Sequence, residues 1–235
     1  MFFLASLKVF SQEVPPQIQA NIINGLKNGP AGLQITRIES TPVNGIYQVS
    51  VGADQAFYTS EDGQFILTGK MFQVANGKAT DVVQIKQSLA HIKKIQQVPS
   101  HDTIVYPATT AQKYQLKIFT DVDCPYCAKL HKEIPKLNAL GVEVVYLAFP
   151  RAGIDSPSFS KIASVWCSEN RQKSMDLMYH NNQSTLKNCD NTAVKAQYEL
   201  AKQLGLQGTP ATFFADGKMM NGYHSAESLL EMLQN

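Results

Sequence analysis

The sequence has few charged residues and no block of like charge. Asp, Glu, Lys and Arg make up 17% of its 235 residues, and the formal net charge is +2. This balance gives no electrostatic footprint for nucleic acid or for an acidic membrane surface. After the first residues, no apolar run approaches the ~20 residues that a membrane-spanning helix needs. With 44% hydrophobic residues, we expect a soluble body of one large domain or two small ones.

Cysteine is scarce, and its four positions are informative: Cys124, Cys127, Cys167 and Cys189. An even number fits two disulfides, although four cysteines allow three pairings. Cys124 and Cys127 are close enough in sequence to form a redox pair. Cys167 and Cys189 match no compact zinc-binding spacing, and a lasting bridge between them would imply an oxidising compartment.

The N-terminus resembles an incomplete export signal. Residues 1–13 read MFFLASLKVFSQE, which is apolar and contains small residues, but a positive first region is missing and Lys8 interrupts the run. A complete signal peptide would be longer and would start with Lys or Arg. We interpret residues 1–13 as a truncated or mis-started signal, and a weakly structured mature N-terminus is the alternative.

Residues 14–80 predict one helix followed by an antiparallel sheet. The helix follows Pro15-Pro16, has one apolar face and ends at Gly29-Pro30. Five short runs of alternating apolar residues come next (LQITRI, GIYQVSV, QAFYTS, QFILTG and KMFQVA). Strong turn signals separate several of them, at Asn44-Gly45, Asp62-Gly63 and Asn76-Gly77.

Residues 81–100 predict a linker helix. Val82, Ile85, Leu89 and Ile92 recur at helical spacing, and Asp81 stands where an N-cap is expected. Val98-Pro99 then ends the pattern.

Residues 101–235 predict a mixed sheet with helices on its faces. Strand patterns occupy 114–120, 142–149, 211–215 and 218–223, and helical patterns occupy 125–140, 158–182 and 191–204. A last helix follows Ser225 as its cap. The order of strand, helix, strand, and later a hairpin with a terminal helix, is typical of an α+β fold.

The cysteine pair lies where a strand pattern changes into a helical one, in FTDVDCPYCAKLHKEIPKL. Pro125 occupies a favoured first helical position, so Cys124 should lie at the helix N-terminus, where free N–H groups favour a thiolate. Cys127 is one turn further in and begins the apolar face of the helix. We therefore predict that Cys124 attacks a substrate disulfide and that Cys127 resolves the mixed disulfide. Pro135 should kink the helix near residues 132–133.

Two other interpretations of the pair remain open. The pair could be half of a zinc site, although His131 would add only a third, poorly placed ligand. It could also be a purely structural disulfide. We predict neither a metal nor a cofactor. His131 is interpreted as a solvated surface residue, and Asp121 and Asp123 as residues that cap or solvate the strand end.

The stretch GTPATFF, residues 208–214, places Thr209-Pro210 at the entrance of an apolar strand. A cis proline at such a position ends strand pairing and lets another backbone approach. The signal is weak alone, because most X-Pro bonds are trans.

Three segments together carry a family resemblance: residues 119–153 around the cysteine pair, SVWC around Cys167, and LGLQGTPATFFADGKMMNGY. The chain resembles the DsbC/DsbG group of periplasmic thiol:disulfide isomerases, nearest to its DsbC branch. The resemblance implies an α+β architecture: a C-terminal thioredoxin fold with a helical insertion, a linker helix and an N-terminal cystatin-like dimerisation domain. It also implies a periplasmic, V-shaped homodimer with an apolar cleft.

The resemblance further implies roles for particular residues. Cys124 is the nucleophile and Cys127 the resolving thiol, while Thr209 and Pro210, with Pro125 and Tyr126 inside the motif, contact the substrate. Cys167 and Cys189 correspond to a structural disulfide, which would close a loop of about 22 residues and contribute roughly 3 kcal/mol. The implied partners are misfolded disulfide-containing proteins and a membrane thiol reductase of the DsbD type.

One residue departs from the DsbC pattern. Pro125 precedes Tyr126, as in DsbG, where the familiar DsbC motif has Gly. The two residues between the cysteines tune the reduction potential. Our leading hypothesis is a protein disulfide isomerase/reductase, and two alternatives remain. The protein could be a dithiol oxidase, or a holdase chaperone that uses the apolar dimer cleft.

Overall fold

The computed structural model describes residues 13–27, 33–52, 55–75, 77–181, 189 and 191–234. The signal-segment prediction for residues 1–13 and the helix end at Gly29-Pro30 therefore lie outside the described residues, apart from residue 13. The chain divides into two compact units, Met1–Lys86 and Gln87–Asn235. The domain boundaries at residues 80 and 100 stay predictions.

The first unit contains the predicted helix and antiparallel sheet. Helix α1 spans Pro16–Lys27. Four antiparallel strands form a sheet in the order β1-β2-β3-β4, and their bounds are Ile35–Ser40, Ile46–Val51, Gln55–Ser60 and Ile66–Leu67. A separate hairpin pairs β5 with β6, which span Phe72–Ala75 and Lys78–Asp81; β6 has no counterpart in the sequence prediction.

Helix α1 packs closely against the first unit's sheet and turns. Ile22 and Leu26 are buried with Val49 of β2. Gly63 has φ +70°, and a Cβ there would lie 2.5 Å from the carbonyl oxygen of Ile22. The Asp62-Gly63 turn therefore needs glycine both for its backbone conformation and for the close approach of the helix.

Helix α2 spans Val82–Ile95, as its apolar spacing predicts. The Oδ1 of Asp81 accepts a hydrogen bond from the backbone N–H of Val83 at 2.9 Å, which confirms Asp81 as the cap. Ile95 at the other end is fully buried in the core of the second unit.

The second unit is built on a mixed five-stranded sheet in the order β11-β10-β8-β9-β7. Strands β8 and β9 are parallel, and the other pairs are antiparallel. The strands β7 to β11 span Ile104–Tyr106, Tyr114–Thr120, Val142–Ala148, Ala211–Phe213 and Met219–Asn221. The edge strand β7 is too short to have been recognised in the sequence.

Six α-helices are described in the second unit after α2 and a short 3₁₀ helix at Ser100–Asp102. The helices α3 to α8 span Pro125–His131, Ile134–Ala139, Pro157–Trp166, Arg171–Asn181, Thr192–Gln203 and Ala226–Gln234. The break at residues 132–133 is the one that Pro135 predicts. The helical region predicted at 158–182 contains two helices, because Asn170 starts a new one by accepting the backbone N–H of Lys173 at 2.9 Å; Asn182 lies outside the described residues.

Both faces of this sheet are covered. Side chains alternate along β8 and β9, so that Ile118 and Tyr146 belong to one apolar cluster while Phe119 and Leu147 belong to another. Burial on both faces explains why these central strands are apolar almost throughout. The carboxyl end of β8 leads directly into the cysteine motif.

Candidate active site

Cys124 is the residue that precedes helix α3. Its backbone is extended, with φ −90° and ψ 117°, and Pro125 is the first helical residue. The carbonyl oxygen of Cys124 accepts the backbone N–H of Ala128 at 3.1 Å. Because Pro125 has no N–H to leave unpaired and a φ suited to a helix, the helix begins here and Cys124 takes the cap position.

The two thiols differ in their surroundings. Cys127 is completely buried, as the helical pattern predicts, and Cys124 is only 2% exposed. Cys124 lines an open groove of about 470 Å³, whose other walls come from Val122 and Asp123 after β8, the start of α3 and the end of α6. Tyr126, between the cysteines, is 61% exposed, and Pro125 is exposed as well.

The loop at Thr209-Pro210 lies beside the cysteines. The peptide bond between the two residues is cis, and the Sγ of Cys124 donates to the carbonyl oxygen of Thr209 at 3.2 Å. Strand β10 begins at the next residue, and Ala211 pairs with Phe119 of β8. The pairing of β10 with β8 thus brings together residues that are 85 positions apart in sequence.

The pKa of Cys124 is lowered to about 5. The main cause is the hydrogen bond from the Cys127 thiol; burial opposes it, and Thr209, the backbone N–H of Cys127 and the charge of Arg151 also favour the thiolate. The pKa of Cys127 is raised, first by burial and then by its hydrogen bond to Cys124. The site therefore separates one ionised thiol from one neutral thiol at neutral pH.

Two atoms of Thr209 face the cysteine pair: its carbonyl oxygen and its side-chain Oγ1. Its carbonyl oxygen accepts from Cys124, whereas its buried Oγ1 has no hydrogen-bond partner among the described residues in the dithiol state. That hydroxyl is placed to donate to a sulfur once it is ionised, and it favours the thiolate of both cysteines.

Asp121 is a buried carboxylate, which the sequence interpretation as a strand-end cap did not anticipate. Its side chain is 3% exposed and forms an ion pair with Arg151 at 3.1 Å. The hydroxyl of Ser158 and the backbone N–H of Asp123 donate to its Oδ1. A buried carboxylate requires such partners, and two of them, Arg151 and Ser158, are too far away in sequence to be recognised from a local pattern.

His131 is likewise not the solvated surface residue that its position suggested. Its side chain is 13% exposed, and its Nε2 lies 3.1 Å from Oδ1 of Asp176. Aromatic rings of Tyr106, Tyr146 and Tyr179 surround it. Burial lowers the pKa of His131, while Asp176 acts in the opposite direction.

Cys167 and Cys189 are joined by a disulfide, with their Cα atoms 5.7 Å apart. Cys124 and Cys127 are both free. Over the described ranges, no three metal-binding side chains of His, Cys, Asp or Glu come together. In the same part of the chain, every helix is too short or too polar to cross a membrane.

Comparisons with known proteins match this architecture. Residues 100–235 match a family described as a thioredoxin-like domain, and residues 13–84 match the disulfide bond isomerase protein N-terminal domain. A crystal structure of a disulfide interchange protein from Neisseria gonorrhoeae is similar, with a TM-score of 0.51 and 28% identity. It covers 58% of this chain and 96% of that one.

Named relatives match over a larger part of the chain. The thiol:disulfide interchange protein DsbC of Escherichia coli (strain K12) is 31% identical over 230 residues, which cover 98% of this chain and 92% of the relative. DsbC of Salmonella typhimurium is 32% identical, with coverages of 86% and 82%. The chain belongs to the DsbC family of thiol:disulfide interchange proteins, and it is a thiol:disulfide oxidoreductase with isomerase or reductase activity.

Proposed function

We propose that the protein isomerises or reduces the disulfides of misfolded secreted proteins, with Cys124 as the attacking thiol and Cys127 as the resolving thiol. The observation that carries this proposal is the division between the two sulfurs. Cys124 has a pKa lowered to about 5 and lines an open groove, whereas Cys127 is fully buried and has a raised pKa. Only the thiolate is nucleophilic, so the first attack falls to Cys124.

The reaction begins when the Cys124 thiolate attacks one sulfur of a substrate disulfide. A mixed disulfide forms and the second substrate sulfur leaves as a thiolate. A different substrate thiolate can then attack the substrate sulfur that is bonded to Cys124. A new substrate disulfide forms, Cys124 leaves as a thiolate, and the isomerisation is complete. Alternatively, Cys127 attacks Cys124 and releases a reduced substrate.

Thr209, Pro210, Pro125 and Tyr126 are the residues we propose to contact the substrate. Tyr126 is exposed beside the thiols, and the carbonyl oxygen of Thr209 is held by the Cys124 thiol in the dithiol state. Once Cys124 is ionised or in a mixed disulfide it has no hydrogen to donate, and this carbonyl is free to accept a substrate N–H. Backbone and apolar contacts of this kind suit unfolded chains that share no sequence.

The test uses a small secreted protein with scrambled disulfides as substrate. Wild-type protein should restore its activity, and Cys124→Ser should not. Cys127→Ser is the matched control, because it keeps the attacking thiol and should accumulate a mixed disulfide. Full recovery of the scrambled substrate by Cys124→Ser would contradict the mechanism.

A dithiol oxidase would use the same residues in the opposite direction. The redox state of Cys124 and Cys127 in cells distinguishes the two activities: a mainly reduced pair supports the isomerase, and a mainly oxidised pair supports the oxidase. The isomerase needs an electron donor in an oxidising compartment, and we propose a membrane thiol reductase of the DsbD type. Without that reductase the pair should become oxidised.

We place the protein in the periplasm. The bridge between Cys167 and Cys189 supports this proposal, because such bonds persist in oxidising compartments and are rare in the cytosol. Cell fractionation followed by thiol labelling tests it. Protein found in the cytosol with all four cysteines reduced would contradict it.

The N-terminal unit is proposed to form a homodimer. Large apolar side chains are exposed within residues 65–74: Phe65 68%, Ile66 43%, Leu67 51%, Phe72 53% and Val74 76%. Strand β4 is also an edge of its sheet, and an apolar edge invites pairing with a second chain. Val74→Asp in the full chain should produce a monomer. Leu177→Asp changes another exposed apolar residue, on α6, and should leave the dimer intact. Light scattering distinguishes the two outcomes.

The same apolar side chains support a holdase chaperone as a second activity, since they could bind unfolded chains without any thiol. A double variant, Cys124→Ala with Cys127→Ala, separates the two. Suppression of aggregation that survives in this variant belongs to the apolar surface. Suppression that disappears with the thiols would contradict a separate chaperone activity.

A further inference from the structure

Cys127 must ionise in a place that disfavours its charge. It is fully buried, and burial raises its pKa. If Cys127 resolves the mixed disulfide, as proposed above, its thiolate has to form while Cys124 is bonded to substrate and can no longer donate or accept a proton. Thr209 and the backbone N–H of Asp121 favour its thiolate, and a group that can accept the S–H as well as donate to the anion would stabilise this sulfur in both of its protonation states.

Two buried hydroxyls lie next to Cys127 in a chain. The side chain of Thr120, at the end of β8, is fully buried and lies beside Cys127, where it lowers the pKa of that thiol and so favours its thiolate. Its Oγ1 lies 2.6 Å from the Oη of Tyr179 on α6. The Tyr179 hydroxyl in turn donates to the backbone carbonyl oxygen of Asp121 at 3.2 Å.

In the mixed disulfide, while Cys127 keeps its proton, the direction of this chain follows from the number of hydrogens. Each hydroxyl has one hydrogen, and Tyr179 uses its hydrogen on the Asp121 carbonyl. Thr120 therefore donates to Tyr179, and a lone pair of its oxygen is available to the S–H of Cys127 once Cys124 is bonded to substrate and no longer accepts that hydrogen. Every donor in the chain then has an acceptor.

When Cys127 loses its proton, the two hydrogen bonds that Thr120 makes in this chain can each reverse donor and acceptor. Tyr179 then donates to Thr120, and Thr120 donates to the sulfur anion. The Asp121 carbonyl is not left without a partner, because it also accepts the backbone N–H of Cys124 at 3.1 Å. The reversal needs only the rotation of two hydroxyl groups, so it does not require the packing to change.

We propose that Thr120 and Tyr179 form a reversible hydroxyl chain that stabilises the Cys127 thiolate during resolution of the mixed disulfide. In this proposal Thr120 donates to the reacting sulfur and is a catalytic residue in this step. Tyr179 acts through Thr120 and is a positioning residue. The inference rests on the resolving role proposed for Cys127 and names the residues that make this role possible inside a buried site.

The step conserves atoms and electrons. Cys127 gives its proton to water, and its thiolate attacks the Sγ of Cys124. The Cys124–Cys127 bond forms while the bond from Cys124 to the substrate sulfur breaks. The substrate sulfur leaves with the electron pair and takes a proton from water. The substrate is reduced and the protein dithiol is oxidised.

Other titratable and charged groups also face Cys127. They are Cys124 on the same helix, Asp121 after β8, Tyr146 on β9, Arg151 after β9, and Tyr179 itself. Among them Tyr146 offers a matched comparison, because it is a buried tyrosine close to Cys127 whose hydroxyl faces His131 at 3.3 Å and takes no part in the chain.

The experiment follows the two steps separately in the full-length protein. Reduced protein is mixed with glutathione disulfide, quenched with acid at intervals and analysed by mass spectrometry. The first step gives a mixed disulfide on Cys124, and the second gives the Cys124–Cys127 disulfide. The variants are Thr120→Val, Thr120→Ser, Tyr179→Phe and Tyr146→Phe, each measured across pH.

Thr120→Val should slow the second step about tenfold and shift its pH–rate profile up by about one unit, because the donor to the anion is lost. Thr120→Ser keeps the hydroxyl and should restore the wild-type rate. Tyr179→Phe should slow the step about threefold, because a hydrogen bond in a chain that ends on an anion is stronger than one between neutral groups. Tyr146→Phe should leave it unchanged.

The first step provides the control for folding, since Cys124 should attack at the wild-type rate in every variant. If Thr120→Val formed the Cys124–Cys127 disulfide at the wild-type rate and with an unshifted pH–rate profile, the inference would be overturned. Equal slowing by Tyr179→Phe and Tyr146→Phe would overturn it as well. If Cys127→Ser, which cannot resolve the mixed disulfide, formed none on Cys124, the proposed function would fail first, and this inference with it.

Discussion

The guanidinium of Arg151 and the carboxylate of Asp121 form an ion pair next to the cysteine motif, with 3.1 Å between Nε and Oδ2. The backbone N–H of Arg151 donates to the same oxygen at 3.0 Å. This pair ties the end of β8 to the segment that follows β9. It also holds a positive charge near Cys124, where it favours the thiolate.

Asp121→Asn should destabilise the oxidised protein by about 2 kcal/mol, because a buried carboxylate loses its charge-assisted hydrogen bonds, whereas the Arg151 side chain is 41% exposed and stays solvated. Urea unfolding at pH 7 measures the effect. Asp123→Asn is the control: its ion pair with Lys161 is about one-third exposed on each side, so the change should stay below about 1 kcal/mol. Equal losses in the two variants would contradict the buried role of Asp121.

The low pKa of Cys124 should depend mainly on Cys127, whose thiol is the largest cause of the lowering. Cys127→Ala removes that donor and should raise the pKa of Cys124 towards the ordinary value. Cys127→Ser retains a donor and should raise it less. Thiolate absorbance near 240 nm against pH gives both values, and an unchanged midpoint in Cys127→Ala would show that another group holds the charge.

The reduced protein should become more stable as pH rises. The folded pKa of Cys124 is about 5 and the ordinary value is 9.0. A group with a lowered folded pKa contributes stability that is complete above its unfolded pKa and lost as pH falls through its folded pKa. Between about pH 5 and 9 the contribution should therefore grow, by at most about 1.4 kcal/mol per pH unit.

Comparison with Cys124→Ala isolates this effect, if both proteins are unfolded in urea under the same reductant. The difference between their free energies of unfolding should increase with pH over this window. Cys127 contributes in the opposite direction only above its unfolded pKa, because its folded pKa is raised. A difference that stays flat from pH 5.5 to 8.5 would contradict the lowered pKa.

The Cys167–Cys189 bridge should stabilise the fold without affecting the thiol chemistry. It closes a loop of 22 residues, for which the chain-entropy estimate is about 3 kcal/mol. Replacement of both cysteines by serine should lower the free energy of unfolding by roughly this amount. The rate of Cys124 alkylation should equal that of the wild type. A marked decrease of this rate would show that the bridge contributes to the active site.

Local patterns predicted much of the fold. The strand at residues 114–120 matches β8 at both ends, because a run of alternating and apolar residues is bounded by turn residues. Pro135 predicted the break between α3 and α4, since proline cannot supply an internal N–H. Asp81 predicted the start of α2 for a similarly local reason, as its carboxylate accepts a backbone N–H two residues later.

The features that were missed depend on partners far apart in sequence. Asp121 and His131 are buried because Arg151 and Asp176 approach them from 30 and 45 positions away, and no local pattern reports such a contact. The chain from Thr120 to Tyr179 spans 59 positions. The helix break at Asn170 was also missed, but it is a local feature: a capping residue before a second helical pattern could have been recognised in the sequence. The catalytic and substrate-binding roles of the predicted site residues stay predictions.

The central claim is that Cys124 is an anion at neutral pH, and the pH dependence of its alkylation tests this most directly. Reduced protein is treated with iodoacetamide from pH 3.5 to 9.5, and modification of Cys124 is followed by peptide mass spectrometry. The midpoint is informative even though the sulfur is only 2% exposed, because limited access lowers the rate equally at every pH. We predict a midpoint near 5 and a constant rate above about pH 6.5. A rate that keeps rising through pH 8 to 9, as for an ordinary cysteine, would contradict the account.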